Sequence, residues 1–170
     1  GRMTGFGMAG DERVYAPKDF LPAFDCMREA GFQLTCHAGE WGGADSVRAA
    51  LDDLDVERIG HGVRGAEDPD LMRRLAAEGI TLEVCPGSNV ALGVYPDWNA
   101  HSIDVLRNAG CRVTVSTDDP PFFHTTMNHE YEMLSKMFGY GKEDFDDFAY
   151  NAVSAAFCDD ETKSKLSARI

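Results

Sequence analysis

Five short apolar runs, each followed by a stretch with helical spacing, leave this chain few possible folds. The runs centre on Phe6, Leu34, Ile59, Leu82 and Val113. Between the first two, Phe20, Leu21, Phe24 and Met27 recur at the interval of one buried helix face. Gly31 ends that stretch. Further helices are expected over 44–51, from Asp68-Pro69 through Glu78, and over 101–109. Asp68 supplies a cap and Pro69 a preset first turn. After Ser116 only helical patterns follow, roughly 128–138 and 142–157. Strands separated by helices of this length imply βαβ units and a parallel sheet. No loop is long or polar enough to be an interdomain linker, so a single α/β domain is expected over 1–170. The opening Gly1 to Gly10 reads as a strand in progress, glycine-rich because something approaches its backbone. The alternative there is an expression scar with a flexible tail.

The strand ends carry the chemistry. The run through Val115 stops at Ser116-Thr117-Asp118-Asp119-Pro120. Adjacent carboxylates repel unless a cation or donor sits between them, and the carboxyl ends of parallel strands are where barrel enzymes place reactive groups. A plain helix cap before Pro120-Pro121 is the other possibility. The run through Cys36 stops at His37-Ala38-Gly39-Glu40, and a third stops at His61, between Gly60 and Gly62. Imidazole suits zinc and a nearby carboxylate can move protons. Against this, His37 and Glu40 could be a loop histidine and a surface glutamate, and His61 a satisfied core histidine. Cys85 ends an apolar run with no basic partner nearby, so it is expected to be a packed thiol rather than a nucleophile. Ser88 and Asn89 are expected to shape the loop above their strand. His101 reads as the start of a helix, and His124 and His129 as pocket-rim residues at most.

Composition excludes several classes. The net charge is −13 and there is no basic stripe, which argues against nucleic-acid backbone binding. The five cysteines form no CxxC pair, so neither a zinc ribbon nor a redox motif is indicated. No apolar run approaches the ~18 residues of a membrane span. No membrane partner is expected, and the location is read as cytoplasmic.

Taken together, Ala9-Gly10-Asp11-Glu12, His37-Ala38-Gly39-Glu40, Arg58-Ile59-Gly60-His61-Gly62, Cys85-Pro86-Gly87-Ser88-Asn89 and Ser116-Thr117-Asp118-Asp119-Pro120 resemble, in that order, the adenosine/adenine deaminase family of metal-dependent hydrolases. The resemblance covers nearly the whole chain. It implies a (β/α)8 barrel and hydrolytic deamination of a 6-aminopurine, adenosine before adenine. It implies that His37 and Asp118 ligate one Zn2+, and that Glu40, protonated, donates to purine N1. It further implies that His61 orients the hydroxide and helps remove its proton. Asp119 would bind purine N7, and the Gly10 N–H would bind N3. The partner would be a small purine nucleoside or base.

One feature departs from the family pattern. The family's zinc site also draws on a His-x-His pair from the first barrel strand, and no His-x-His occurs in this chain. With five strand runs against the eight of a full barrel, the chain is expected to be a carboxyl-terminal portion, with the two further histidine ligands outside it. By itself it is expected neither to hold zinc tightly nor to deaminate adenosine. Other readings are a catalytically inactive nucleoside-binding member and a related hydrolase acting on a different amine.

Overall fold

The computed structural model describes residues 3–170. Five strands run parallel in one sheet, in chain order: β1 (Gly5–Met8), β2 (Gln33–Ala38), β3 (Arg58–His61), β4 (Thr81–Val84) and β5 (Arg112–Val115). Helices α1 (Leu21–Glu29), α2 (Gly43–Leu54) and α3 (Pro69–Glu78) make the first three crossovers. Two short helices, α4 (Pro86–Ala91) and α5 (Ile103–Asn108), make the fourth. Beyond β5 lie α6 (Pro120–Phe123), α7 (Met127–Phe138), α8 (Lys142–Ala155) and α9 (Asp160–Ser167). No helix among the described residues is long and apolar enough to cross a membrane.

Register explains which side chains face where. Met8, Cys36, Ile59, Leu82 and Val113 align in one row across the sheet. Cys36, Ile59, Leu82 and Val113 share a buried cluster with Phe24, Val47, Leu54, Leu75, Ile103 and Leu106 from the helices. One residue along, His37, Gly60, Glu83 and Thr114 form the next row. Strand alternation puts that row on the opposite face. The helix-facing side is therefore apolar, and the other side carries the polar groups.

The polar face is closed at its amino-terminal end. Thr35 Oγ1 donates to Glu83 Oε2 at 2.9 Å, and Arg58 Nε lies 3.3 Å from Glu83 Oε1. The Arg58 guanidinium stacks 3.5 Å from the centre of the Phe157 ring. A Cβ on Gly5 would lie 2.3 Å from that same ring. Part of the glycine-rich opening strand thus makes room for a side chain from the far end of the chain.

The helices differ from expectation in three places. Helix α2 runs on to Leu54, where Asp55 adopts a left-handed cap. The 142–157 stretch breaks after Ala155, and Asp159 caps a separate α9 by accepting the Thr162 N–H at 2.7 Å. Ser88 and Asn89, expected in a loop, lie in a helix, although Gly87, Ser88 and Asn89 are poor helix formers. Pro86 at its first turn favours the start.

Candidate active site

The side chains that matter gather where β2, β3 and β5 end. His37 sits near the end of β2 with its ring over Gly60, where a Cβ would lie 2.4 Å from His37 Cδ2. Glycine at that position is therefore a requirement of the histidine beside it. His61 closes β3 with φ 64°, and Asp118 follows β5 with φ 56°. Both are left-handed, a conformation uncommon outside glycine. At His61 this ends the regular strand alternation. The His37 and His61 rings meet edge-to-face, 4.8 Å apart. His61 Nε2 lies 3.9 Å from Asp118 Oδ2, and His61 Nδ1 lies 3.6 Å from Glu40 Oε1.

His37, Glu40 and His61 form one group of possible ligand atoms within 4.8 Å of one another, and His61, Cys85 and Asp118 form a second. His61 is common to both. His37 and Asp118 offer the nitrogen and oxygen donors that zinc accepts, but a catalytic site usually has three protein ligands. The two belong to different groups, joined through His61.

Electrostatics separate the two central titratable groups. Burial, the Asp118 charge and the Glu12 charge raise the Glu40 carboxyl to about 7. Burial and the neighbouring His37 lower the His61 imidazole to about 4. Near neutral pH His61 is uncharged and Glu40 is substantially protonated, so their contact is not an ion pair. Asn89 bridges it: its Nδ2 donates to Glu40 Oε1 at 3.3 Å and lies 3.2 Å from His61 Nδ1.

The two expected substrate contacts, Gly10 and Asp119, are exposed. Gly10 is exposed and lines, with His37, a cavity of about 200 Å³. A Cβ at Gly10 would meet nothing within 4 Å. Asp119 is exposed at the amino end of α6. Cys85 is buried, and burial with four surrounding carboxylates pushes its thiol far up, so it stays protonated. His124 and His129 are exposed.

Several residues at the site were given other roles, or none, by the sequence. Glu12 accepts the backbone N–H groups of Gly39, Glu40, Trp41 and Gly42 and the Ser46 hydroxyl, at 2.6 to 3.3 Å. Burial pushes its carboxyl up, but the Ser46 hydroxyl and the backbone donors outweigh that and lower it. Ser88 Oγ donates to Asp118 Oδ2 at 2.7 Å. His101, expected merely to start a helix, is buried with Nε2 3.2 Å from Asn89 Oδ1. Glu130, fully buried in α7, accepts from the Gly87 N–H and the Thr125 hydroxyl, and so anchors the first turn of α4. The acidic residue in the Gly-Asp-Glu run was a visible signal for Glu12. For Glu130 and His101 no local pattern exists.

The family profile described as adenosine deaminase matches residues 1–170. Over 168 residues the chain is 54% identical to the adenine deaminase of Rhizobium johnstonii, covering 99% of this chain and 52% of that protein. The chain thus spans about half the length of the curated relatives it matches. The crystal structure of adenine deaminase from Arthrobacter aurescens superposes with a TM-score of 0.93 at 34% identity, over 97% of this chain and 50% of that one. An amidohydrolase from Burkholderia ambifaria with bound Zn superposes with a TM-score of 0.87 at 32% identity, over 95% of this chain and 46% of that one.

Proposed function

Because the chain belongs to the adenosine deaminase family, we propose that it is part of a metal-dependent barrel enzyme that hydrolytically deaminates adenine. Adenine replaces the adenosine favoured by sequence motifs, since the relatives at about half identity are named for the free base. The observation that carries the reading is the buried meeting of Glu40, His61 and Asn89 between His37 and Asp118 at adjoining strand ends.

Each residue then has a role. Glu40, held protonated by burial and two neighbouring carboxylates, donates to ring N1 and makes the amino-bearing carbon electrophilic. General acid–base groups of this kind contribute about 10² to 10⁴-fold. His37 and Asp118 would hold the metal, with two histidines from outside this chain. When bound, such a metal lowers the pKa of a water to about 7. Ser88 holds Asp118 by donating to Oδ2. The Gly10 N–H and the Asp119 carboxylate, both on exposed residues, would bind ring nitrogens N3 and N7.

The test is ammonia release by the protein carrying this chain together with the rest of the barrel. Adenine should be turned over in preference to adenosine. Preference for adenosine, or turnover of neither with metal present, would overturn the reading.

A further inference from the structure

A directional hydrogen-bond chain leads from the backbone into the site. The Ile103 N–H donates to His101 Nδ1 at 3.0 Å. A backbone N–H can only donate, so Nδ1 is the lone-pair nitrogen of His101. A neutral imidazole then carries its proton on Nε2. That N–H points at Asn89 Oδ1, 3.2 Å away. The Asn89 amide is thereby oriented, because the flipped amide would set two N–H groups face to face. Its Nδ2 is left pointing at His61 Nδ1 and Glu40 Oε1. An amide nitrogen is only a donor, so His61 Nδ1 is an acceptor and the His61 proton lies on Nε2. That nitrogen faces Asp118 Oδ2.

Burial keeps the chain from being rewired. Asn89 is 0% exposed, His61 2% and His101 3%. Solvent cannot replace either partner, so a donor unmet here would stay unmet at a cost to stability. The proton positions thus follow from one fixed backbone group at the start of α5.

We propose that His101 and Asn89 are positioning residues that set the tautomer of His61, presenting an N–H rather than a lone pair toward Asp118. This rests on the reading of His61 as a residue of the active site. It assigns His61 a hydrogen-bond donor's task in the resting protein, in place of the proton acceptor's task that the family resemblance implied. Glu40 is drawn into the same arrangement, since the second Asn89 N–H holds its carboxyl oxygen.

The tautomers are readable without substrate, metal or turnover. Label the histidines with 15N in the metal-free protein and record long-range 1H–15N correlations at neutral pH. The five histidines are assigned by single substitutions. His61 and His101 should both appear as Nε2–H forms. Asn89→Asp replaces the donor with an acceptor of the same shape, and should move the His61 proton to Nδ1. His101→Gln keeps an N–H toward Asn89, and should leave His61 as Nε2–H. An Nδ1–H His61 in the unsubstituted protein overturns the proposal. So does an Nε2–H His61 that survives Asn89→Asp. If Asn89→Asp fails to fold, the unsubstituted protein and His101→Gln decide the matter alone. If the metal-free protein shows these tautomers but the protein carrying the rest of the barrel, loaded with metal, does not deaminate adenine, the functional reading is overturned and this one stands. An active deaminase with an Nδ1–H His61 does the reverse.

Discussion

Glu12 Oε1 accepts the backbone N–H of Glu40 at 2.9 Å, so one carboxylate fixes the position of the other and also sets its charge. The loop after β2 has few other ways to satisfy four successive N–H groups. With its charge close by, Glu12 adds to burial and Asp118 in keeping the Glu40 proton on. Position and protonation are therefore controlled by the same group.

Glu12→Gln should be strongly destabilising despite its equal size. An amide NH2 would face donors that now converge on a charged acceptor. Hydrogen bonds to charged groups are each worth roughly 1.5–3 kcal/mol, and their losses overlap, so about 2–4 kcal/mol is expected. Urea unfolding at pH 7 measures it. A loss under about 1 kcal/mol would mean the loop is held by other contacts.

Stability should depend on pH through Glu40. Its folded-state value of about 7 lies above the ordinary 4.5, so the folded protein binds more protons than the unfolded chain between those values. Stability from this group therefore falls as pH rises from about 4.5 to 7. Glu40→Gln removes the effect and should gain up to about 3 kcal/mol at pH 8, and little at pH 4. His61 and His101, both lowered, act in the opposite sense, losing stability as pH falls below 6.5. They do so in both proteins and cancel from the difference. A gain that does not change with pH would remove the link.

Two glycines should respond oppositely to alanine. Gly60→Ala puts a methyl 2.4 Å from the His37 ring. Crowding of this kind costs about 1–3 kcal/mol and should displace His37, visible as a shifted ring resonance. Gly10→Ala meets nothing, and should keep stability within about 1 kcal/mol of the parent. In the complete enzyme it should lower kcat/KM for adenine, because the methyl stands where the purine would approach.

Metal content should separate ligands from proton donors. In the complete enzyme, His37→Ala should lose metal, while Glu40→Gln should keep it and lose turnover by about 10² to 10⁴-fold. The 170-residue chain, dialysed against trace zinc, should retain well under one equivalent, since His37 and Asp118 fall short of three protein ligands. Stoichiometric zinc in that chain would show that other residues bind it.

Much of this fold is visible in the sequence because its periodicities are local. The strand and helix alternation, the Asp68-Pro69 helix start and the reactive groups at strand ends all follow from short-range patterns. What stays hidden depends on distance along the chain. Asn89 meets Glu40 across 49 residues, and Gly87 meets Glu130 across 43. Nothing beside His101 indicates that Asn89, rather than solvent, takes its proton. Helix α4 is not legible in the sequence because its residues suit a turn, and it is held in place by the buried Glu130 carboxylate.

The left-handed backbone at His61 and Asp118 means that the pocket is maintained against the preference of its own chain. Sparsely populated conformations of this kind cost of order 1–3 kcal/mol each, less where aspartate tolerates them. Glycine at either position would relax the backbone while deleting a group to which the proposed reaction assigns a role. Selection for stability alone would therefore tend to erase these two residues, and a laboratory search for hardier variants should be screened for activity at every round.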